Sequence, residues 1–437
     1  MITQAQLTDN LAGAEAVLLK EPDNAQVRQF LWQAYWGLAD MYYNRGDFDG
    51  HVALLNSVVD VSDRVAQQTG LSEYPTRFIS WEGTCGLGHL AQGLDMHVKA
   101  RQLGLIPNTP TVILAHPDVV ANKHYLGYWA KHFDAVIDNP AAIETLKPLG
   151  GARDYFGALE THYVATRLND RRLAYCEAAW EIQKEWDAQG NPFLLQLTAD
   201  DMVRGCDALK QAGMPPGSWF AVLHVRESNN WDHATGRNVA LSDYFPAIAA
   251  IVERGGWVVR VGNPSMTPLP RLPHVLDYAH LPGRSDWMDT FLLGAAKFAL
   301  CTQSGPAEVT ASFGVPTLLT NWQFGFRHGY RTDVSIFKRY RVNGRVMPME
   351  QALAQRFAFI ETPGMFVPGV EVLSNTPEEI KELVEEWLDA APASDADKAR
   401  ALELDTIQAR VMTGHKHTPN GYCRVGRKWL EKVMAGE

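Results

Sequence analysis

Cysteine is scarce and scattered: five residues in 437, Cys85, Cys176, Cys206, Cys301 and Cys423, with no Cys-x-x-Cys pair and no metal-ligand spacing. That pattern speaks against a disulfide-stapled secreted scaffold and fits a reducing cytosol. No stretch reaches 18 consecutive apolar residues, so the sequence predicts no membrane span. The opening residues, MITQAQLTDNLAGAEAVLLKEPDN, carry acids where a secretory signal needs a basic start and an apolar run. The expectation is a cytoplasmic protein. Basic charge is also short: 40 Lys and Arg against 50 Asp and Glu leave a net charge of -10. Such a surface repels nucleic-acid phosphates and anionic lipid, so no nucleic-acid partner is expected, and any anionic ligand must be met by local Arg or Lys. Two phosphate devices are missing as well. No Lys-Ser/Thr follows the glycines of GLGHLA, which excludes a nucleotide-hydrolysing P-loop. The only Asp-x-Asp matches, Asp47-Phe48-Asp49 and Asp395-Ala396-Asp397, lie in a helical turn and a polar break rather than at a strand end.

What is present is apolar mass: 46% hydrophobic residues and 13 Trp, the profile of a globular chain with large cores. At 437 residues one core rarely serves, so more than one domain is expected. Residues 1–72 read as helical throughout, and LWQAYWGLADMYYNRGDFDGHVALLNSVV resembles a single tetratricopeptide unit. One unit is too few for a solenoid, so these helices either pack on the next domain or a second subunit, or meet a protein partner. From residue 73 to 214 the pattern becomes strand and helix in alternation (TRFISW, TVILAH, DAVID), then mainly helical from about 140. After the turn GMPPGS a second alternating series fills 215–392: WFAVLHVR, GWVVRVG, HVLDYA, FALCTQ and PTLLTN, with helices near 243–254, 286–296 and 306–313. Pro377-Glu378-Glu379 opens a further helix, and residues 393–437 read as terminal helices near 398–412 and 423–435. The expected fold class is α/β: two doubly wound, Rossmann-like domains with a helical appendage.

Candidate chemistry sits at strand ends. Gly86-Leu87-Gly88-His89-Leu90-Ala91 fits the dinucleotide fingerprint, yet the next strand ends in His116, with Asp118 two residues on, where an acid should bind the ribose. An NAD-dependent enzyme is therefore the last-placed reading, and His89 is instead either a ligand-facing imidazole or a structural one. In LHVRESNNWD an apolar strand ends in His224 and Arg226, and WVVRVGNPSM repeats the arrangement with Arg260 and Gly262. A guanidinium offers a fork of donors suited to pyrophosphate, though a strand-end Arg is often only an ion-pair partner. FALCTQSGPAE supplies Gln303, Ser304 and Gly305 at a strand-to-helix junction, where a hydroxyl, backbone amides and the positive helix end would hold an anion. Glu308 lies one turn into that helix, within reach of a ribose hydroxyl or serving only as an ordinary helix-cap acid. Trp231, Trp322, Phe324 and Phe326 follow strand ends and either stack on a base or sugar or fill the core.

Taken together, GLGHLA with LHVRES, VVRVGNPSM, SDWMDTFLLGAAKFALCTQSGP and FGVPTLLTN resembles a bacterial family of GT-B glycosyltransferases often associated with tetratricopeptide segments. The likeness spans about residues 76–325 and is strongest from 219 to 321. The H-x-R strand end is also similar to that of the fucosyltransferase superfamily, where the Arg meets the donor's diphosphate. Two places differ: Glu308 stands one residue farther from Gly314 than the ribose-binding Glu usual in GT-B folds, and Asn229 replaces the Asp of a longer H-x-R-x-x-D form. The resemblance implies transfer of a hexosyl or deoxyhexosyl group from a nucleotide sugar to a carbohydrate, protein or small-molecule acceptor, with no bound cofactor; the course is expected to be inverting, with a retaining course left open, and the lack of a strand-end Asp-x-Asp makes it metal-independent. It implies donor binding by His224, Arg226, Arg260, Gly262, Gln303, Ser304, Gly305 and Glu308, acceptor binding or stacking by Gly88, Trp231 and Trp322, and His89 as base with Asp95 as a second candidate. A sugar-nucleotide epimerase or hydrolase, or a non-catalytic scaffold with its helices engaged in homo-oligomer or protein contact, remains the alternative.

Overall fold

The computed structural model describes residues 4–21, 24–44, 47–68, 70, 76–79, 81–153, 166–168, 171–173, 175–227, 237–324, 330–355, 369–390, 394–411 and 423–435. Their contacts divide into two compact units, one within Met1–Ala121 and Trp129–Ile182, the other within Asn122–Tyr128, Gln183–Thr413 and Thr418–Glu437. No described helix is long and apolar enough to cross a membrane.

The first unit begins with α1 (Gln4–Lys20), α2 (Ala25–Asn44) and α3 (Phe48–Gln68). Their helically spaced Leu11, Leu18, Leu31, Tyr35, Leu38, Val61 and Val65 close one small core. A three-stranded parallel sheet follows in chain order: β1 (Arg77–Ile79), β2 (Thr111–Leu114) and β3 (Ala135–Ile137), with Phe78 opposite Val112 and Ile113 opposite Val136. Helices α4 (Leu87–Gln102), α5 (Lys123–Ala130) and α6 (Pro140–Arg153) alternate with the strands along the chain, α5 being counted with the second unit as far as Tyr128. Phe78, Leu114 and Ile143 pack between sheet and α6, and α3 lies against α6. The doubly wound sheet expected here is absent among the described residues, because β1-β2-β3 never reverses its strand order. The mainly helical stretch 140–214 also holds two short strands. Thr166–Leu168 (β4) and Arg171–Leu173 (β5) pair as an antiparallel hairpin, after which α7 (Tyr175–Ala188) passes from the first unit into the second at Ile182, and α8 (Ala199–Gln211) belongs to the second.

The second unit is built on a seven-stranded sheet in the order β15-β11-β10-β9-β6-β7-β8, every pair parallel. Its strands are β6 (Phe220–His224), β7 (Trp257–Arg260), β8 (Val275–Leu276), β9 (Phe298–Cys301), β10 (Thr317–Trp322), β11 (Val334–Phe337) and β15 (Arg424–Val425). β6, β9, β10 and β11 are buried along their whole length, the mark of a sheet covered on both faces. α9 (Phe245–Glu253), α10 (Asp286–Ala295) and α11 (Gly305–Ser312) supply the crossovers. A small antiparallel sheet follows, β12 (Arg339–Val342) between β13 (Arg345–Val346) and β14 (Val370–Leu373), with α12 (Met349–Ala354) in the same stretch. The predicted start of α13 (Pro377–Leu388) is a full capping box. Thr376 accepts from the Glu379 amide and Glu379 accepts from the Thr376 amide, with Pro377 at the first turn. α14 (Asp395–Val411) and α15 (Arg427–Ala435) end the chain, and Arg424–Val425, expected to be helical, instead adds an edge strand to β11.

Candidate functional site

Without β15, the large sheet runs β8-β7-β6-β9-β10-β11, the 3-2-1-4-5-6 order of a doubly wound fold. From β6 the chain builds toward β7 and β8, and from β9 toward β10 and β11. The loops leaving β6 and β9 therefore diverge to opposite sides and leave a crevice at the strands' C-terminal ends, where open α/β sheets bind ligands. His224 sits opposite Cys301 in the register, so residues 225–227 and 302–305 leave the sheet side by side. They are laced together: Thr302 N donates to His224 O at 3.1 Å, and Arg226 N donates to the Thr302 hydroxyl at 2.9 Å.

The reversal gathers five predicted residues, His224, Arg226, Gln303, Ser304 and Gly305, with Glu308 one turn into α11. Ser304 is the extended N-cap of α11 and its hydroxyl makes no cap hydrogen bond. Pro306 has no N–H, and Ala307 N turns back to Ser304 O at 3.1 Å. Ser304 and Gly305 therefore form the head of this helix, at its positive end. Sequence reasoning missed Arg237. Val239 N donates to Arg226 O at 3.2 Å, which returns the chain to the end of β6 two residues after the half-buried Arg237. The signal was present in TGRNVA, a basic residue just beyond the polar turn.

His224 is buried, and burial together with the charges of Arg226 and Arg260 pushes its pKa down to about 3. It is a neutral imidazole at any physiological pH, and its Nδ1 has no hydrogen-bond partner among the described residues. It can give or take one hydrogen bond but supplies no charge to an anion.

Other predicted residues are placed differently. Arg260 has a fully buried side chain, gripped by Glu227 Oε2 and Asp277 Oδ1 at 3.1 Å each. Its charge is already matched, so it is corrected from a diphosphate ligand to an internal ion-pair residue. Gly262 has φ 153°, a conformation that favours glycine, and a Cβ there would lie 2.5 Å from Met266 Sδ, so the backbone angle and the packing of Met266 account for the glycine. Trp322 is only 4% exposed within β10, and Phe324 is fully buried 4.6 Å from the Phe337 ring, so both fill core and neither offers a stacking face. Trp231, Asn229 and Phe326 lie outside the described residues.

In the first unit, Asp95 is buried and ion-paired with Lys99 at 2.5 Å, one helical turn on, which corrects it from a candidate base to a structural acid. Gly88 lies within the first turn of α4 and His89 is exposed there. The chain does not pass directly from β1 into α4, because a turn of 3-10 helix, Trp81–Thr84, intervenes. A Cβ on Gly86 would lie 2.7 Å from His89 Nδ1. The glycine makes room for the chain's own imidazole, a role unlike the pyrophosphate approach that the dinucleotide fingerprint needs.

No protein-family profile and no curated protein matches the chain. Among solved structures, a glycosyl transferase of family 9 from Veillonella parvula is similar at a TM-score of 0.43 and 11% identity, covering 73% of this chain and 98% of its own. E. coli heptosyltransferase WaaC with ADP gives 0.38 and 13%, covering 72% and 99%. Spinosyn forosaminyltransferase SpnP gives 0.27 and 13%, covering 83% and 99%. These neighbours are glycosyltransferases. At such scores the likeness is loose, and function must be read from the crevice itself.

Proposed function

We propose that the chain is a GT-B-type glycosyltransferase that moves a sugar from a nucleoside-diphosphate donor to an acceptor hydroxyl. The observation that carries this reading is the strand-order reversal between β6 and β9, with Arg226 on one side and Ser304–Gly305 at the head of α11 on the other. Transfer breaks the bond between the anomeric carbon and the diphosphate oxygen, and the departing electron pair leaves negative charge on the diphosphate. A guanidinium and a helix end aimed at that oxygen lower the barrier. The reading takes the reaction as metal-independent and inverting: the acceptor oxygen attacks from the opposite face while a base takes its proton. His89, an exposed imidazole at the head of α4, is our candidate for that base. Glu308, in the first turn of α11, is the candidate for a ribose or sugar hydroxyl.

Thermal shift with UDP, GDP, dTDP, CDP and ADP tests the reading. At a hundredfold excess over Kd, one of them should stabilise the protein by about 2.7 kcal/mol. Arg226→Ala should weaken that nucleotide about 10- to 100-fold, the worth of one or two hydrogen bonds to a charged group, and turnover should persist in EDTA. If none of the five nucleotides shifts the melting point, the reading is wrong.

A further inference from the structure

Arg260 holds two carboxylates, and each of these in turn holds a backbone amide of the loop that follows β7. Glu227 Oε2 accepts from Arg260 Nη2 at 3.1 Å and from Thr267 N at 2.8 Å. Asp277 accepts from Arg260 Nη1 at 3.1 Å, from Leu269 N at 2.8 Å and, through Oδ2, pairs with His280 Nδ1 at 3.0 Å. The guanidinium at the centre is wholly enclosed, while both carboxylates are mostly covered, at 16% and 17% exposure. Glu227 is the residue after Arg226, so an acid stands beside the cation at the crevice.

We propose that Arg260 is a positioning residue that neutralises Glu227 and keeps its carboxylate turned toward the β7 loop, so that the crevice stays positive enough for a diphosphate. The proposal rests on the donor reading above. The physical reason is one of sign. An unmatched carboxylate next to Arg226 would repel a pyrophosphate and compete with it for any guanidinium in reach, and in a partly buried site such a charge is weakly screened. Held through Oε2 by Arg260 and Thr267 N, the same carboxylate has its charge met within the protein. A cation that never touches the ligand thus decides whether the ligand's charge is tolerated.

A charge role and a packing role predict different double-mutant behaviour. Inorganic pyrophosphate and the tightest nucleoside diphosphate of the panel serve as probes by titration calorimetry, with near-UV circular dichroism as a check on folding. Arg260→Met should weaken both probes at least about tenfold. Glu227→Gln keeps an acceptor for Thr267 N and should bind both at least as tightly as the wild type. In Arg260→Met/Glu227→Gln the carboxylate beside Arg226 is gone, while Asp277 keeps Leu269 N and His280, and affinity should return to within about twofold of the wild type. If the double variant stays as weak as Arg260→Met, the clamp acts only through packing and the proposal is overturned. Arg260→Met leaves two carboxylates unpaired and can fail to fold. Glu227→Gln then decides, since a loss of about tenfold in that variant alone also overturns it. A wild type that binds none of the probes sinks the donor reading and this proposal together, whereas a wild type that binds, with no rescue, sinks only this one.

Discussion

The two parallel sheets are written in the same sequence grammar, apolar strand then turn then helix, and they end with different chemistry at their edges. In the first unit β1, β2 and β3 step outward in chain order, so each crossover travels the same way and the described strands open no crevice between diverging loops. In the second, the step from β8 to β9 returns the chain to the far side of β6, and the loops after β6 and β9 part. Their glycine turns differ in the same sense. Gly86 gives its space to the imidazole of His89, while Gly305 sits at the head of α11 behind an N-cap hydroxyl that makes no cap bond. Alternation of strand and helix therefore predicts a parallel sheet, and only a reversal of strand order predicts where a ligand goes.

The proposed reading gives nucleotide binding to Arg226 and proton removal to His89, and exchanging each side chain in turn should separate the two roles. His89→Gln should lower kcat by about 10²- to 10⁴-fold, the usual contribution of a general base, and leave nucleotide affinity unchanged. Arg226→Ala should do the reverse at the binding step. If His89→Gln instead weakens the nucleotide while turnover at saturating donor stays intact, the turn at α4 belongs to the donor and the division of labour is wrong.

A smaller contrast concerns stability. Gly314, after α11, has φ 76°, and a Cβ there would overlap the Phe193 ring. Gly314→Ala combines a left-handed backbone with overpacking against an aromatic side chain, and should cost about 2 kcal/mol or more in urea unfolding. Gly86 has φ -110°, which any residue adopts, and the atom in the way is a side-chain nitrogen that can swing aside. Gly86→Ala should cost less than about 1 kcal/mol yet slow turnover by displacing His89. Equal losses of stability in the two variants would show that the first turn is as tightly built as the second.

Much of this was legible in the sequence because the decisive signals were local. Buried strands β6, β7, β9 and β10 announce themselves as short apolar runs, and the acid three residues after Thr376 marks the start of α13. Strand order was not legible, since β15 is two residues long and no run marks it. The charged alternation of TRLNDRRL hid the β4–β5 hairpin in the same way. Arg260 was misread for a physical reason: its partners, Glu227 and Asp277, lie 33 and 17 residues away, and pairing over such separations is set by the fold. Asp95 is different. Its Lys99 partner stands at i+4 in DMHVK, so the ion pair could have been read from spacing alone.

Acid should expose one more likeness between the units, through an effect smaller than any of the foregoing. Each unit holds a histidine beside two arginines, His97 half-buried and His224 buried. His97 is pushed down to about 3 by burial and by Arg77 and Arg101, and lies stacked on Phe133 at 5.7 Å. His224 reaches about 3 through burial, Arg226 and Arg260. Both are depressed below the unfolded value of 6.5, so between about 6.5 and 3 the unfolded chain binds protons that the folded one refuses. The stability they give is complete above pH 6.5 and is lost as pH falls toward 3. Each histidine should add up to ~1.4 kcal/mol per pH unit to the slope of unfolding free energy in that window. His97→Gln and His224→Gln should each flatten it by that share, measured by urea unfolding from about pH 7 to about pH 4. If the units unfold in separate steps, each substitution should flatten only its own step. A slope that neither substitution changes would mean that water reaches both rings and that burial does not set their charge.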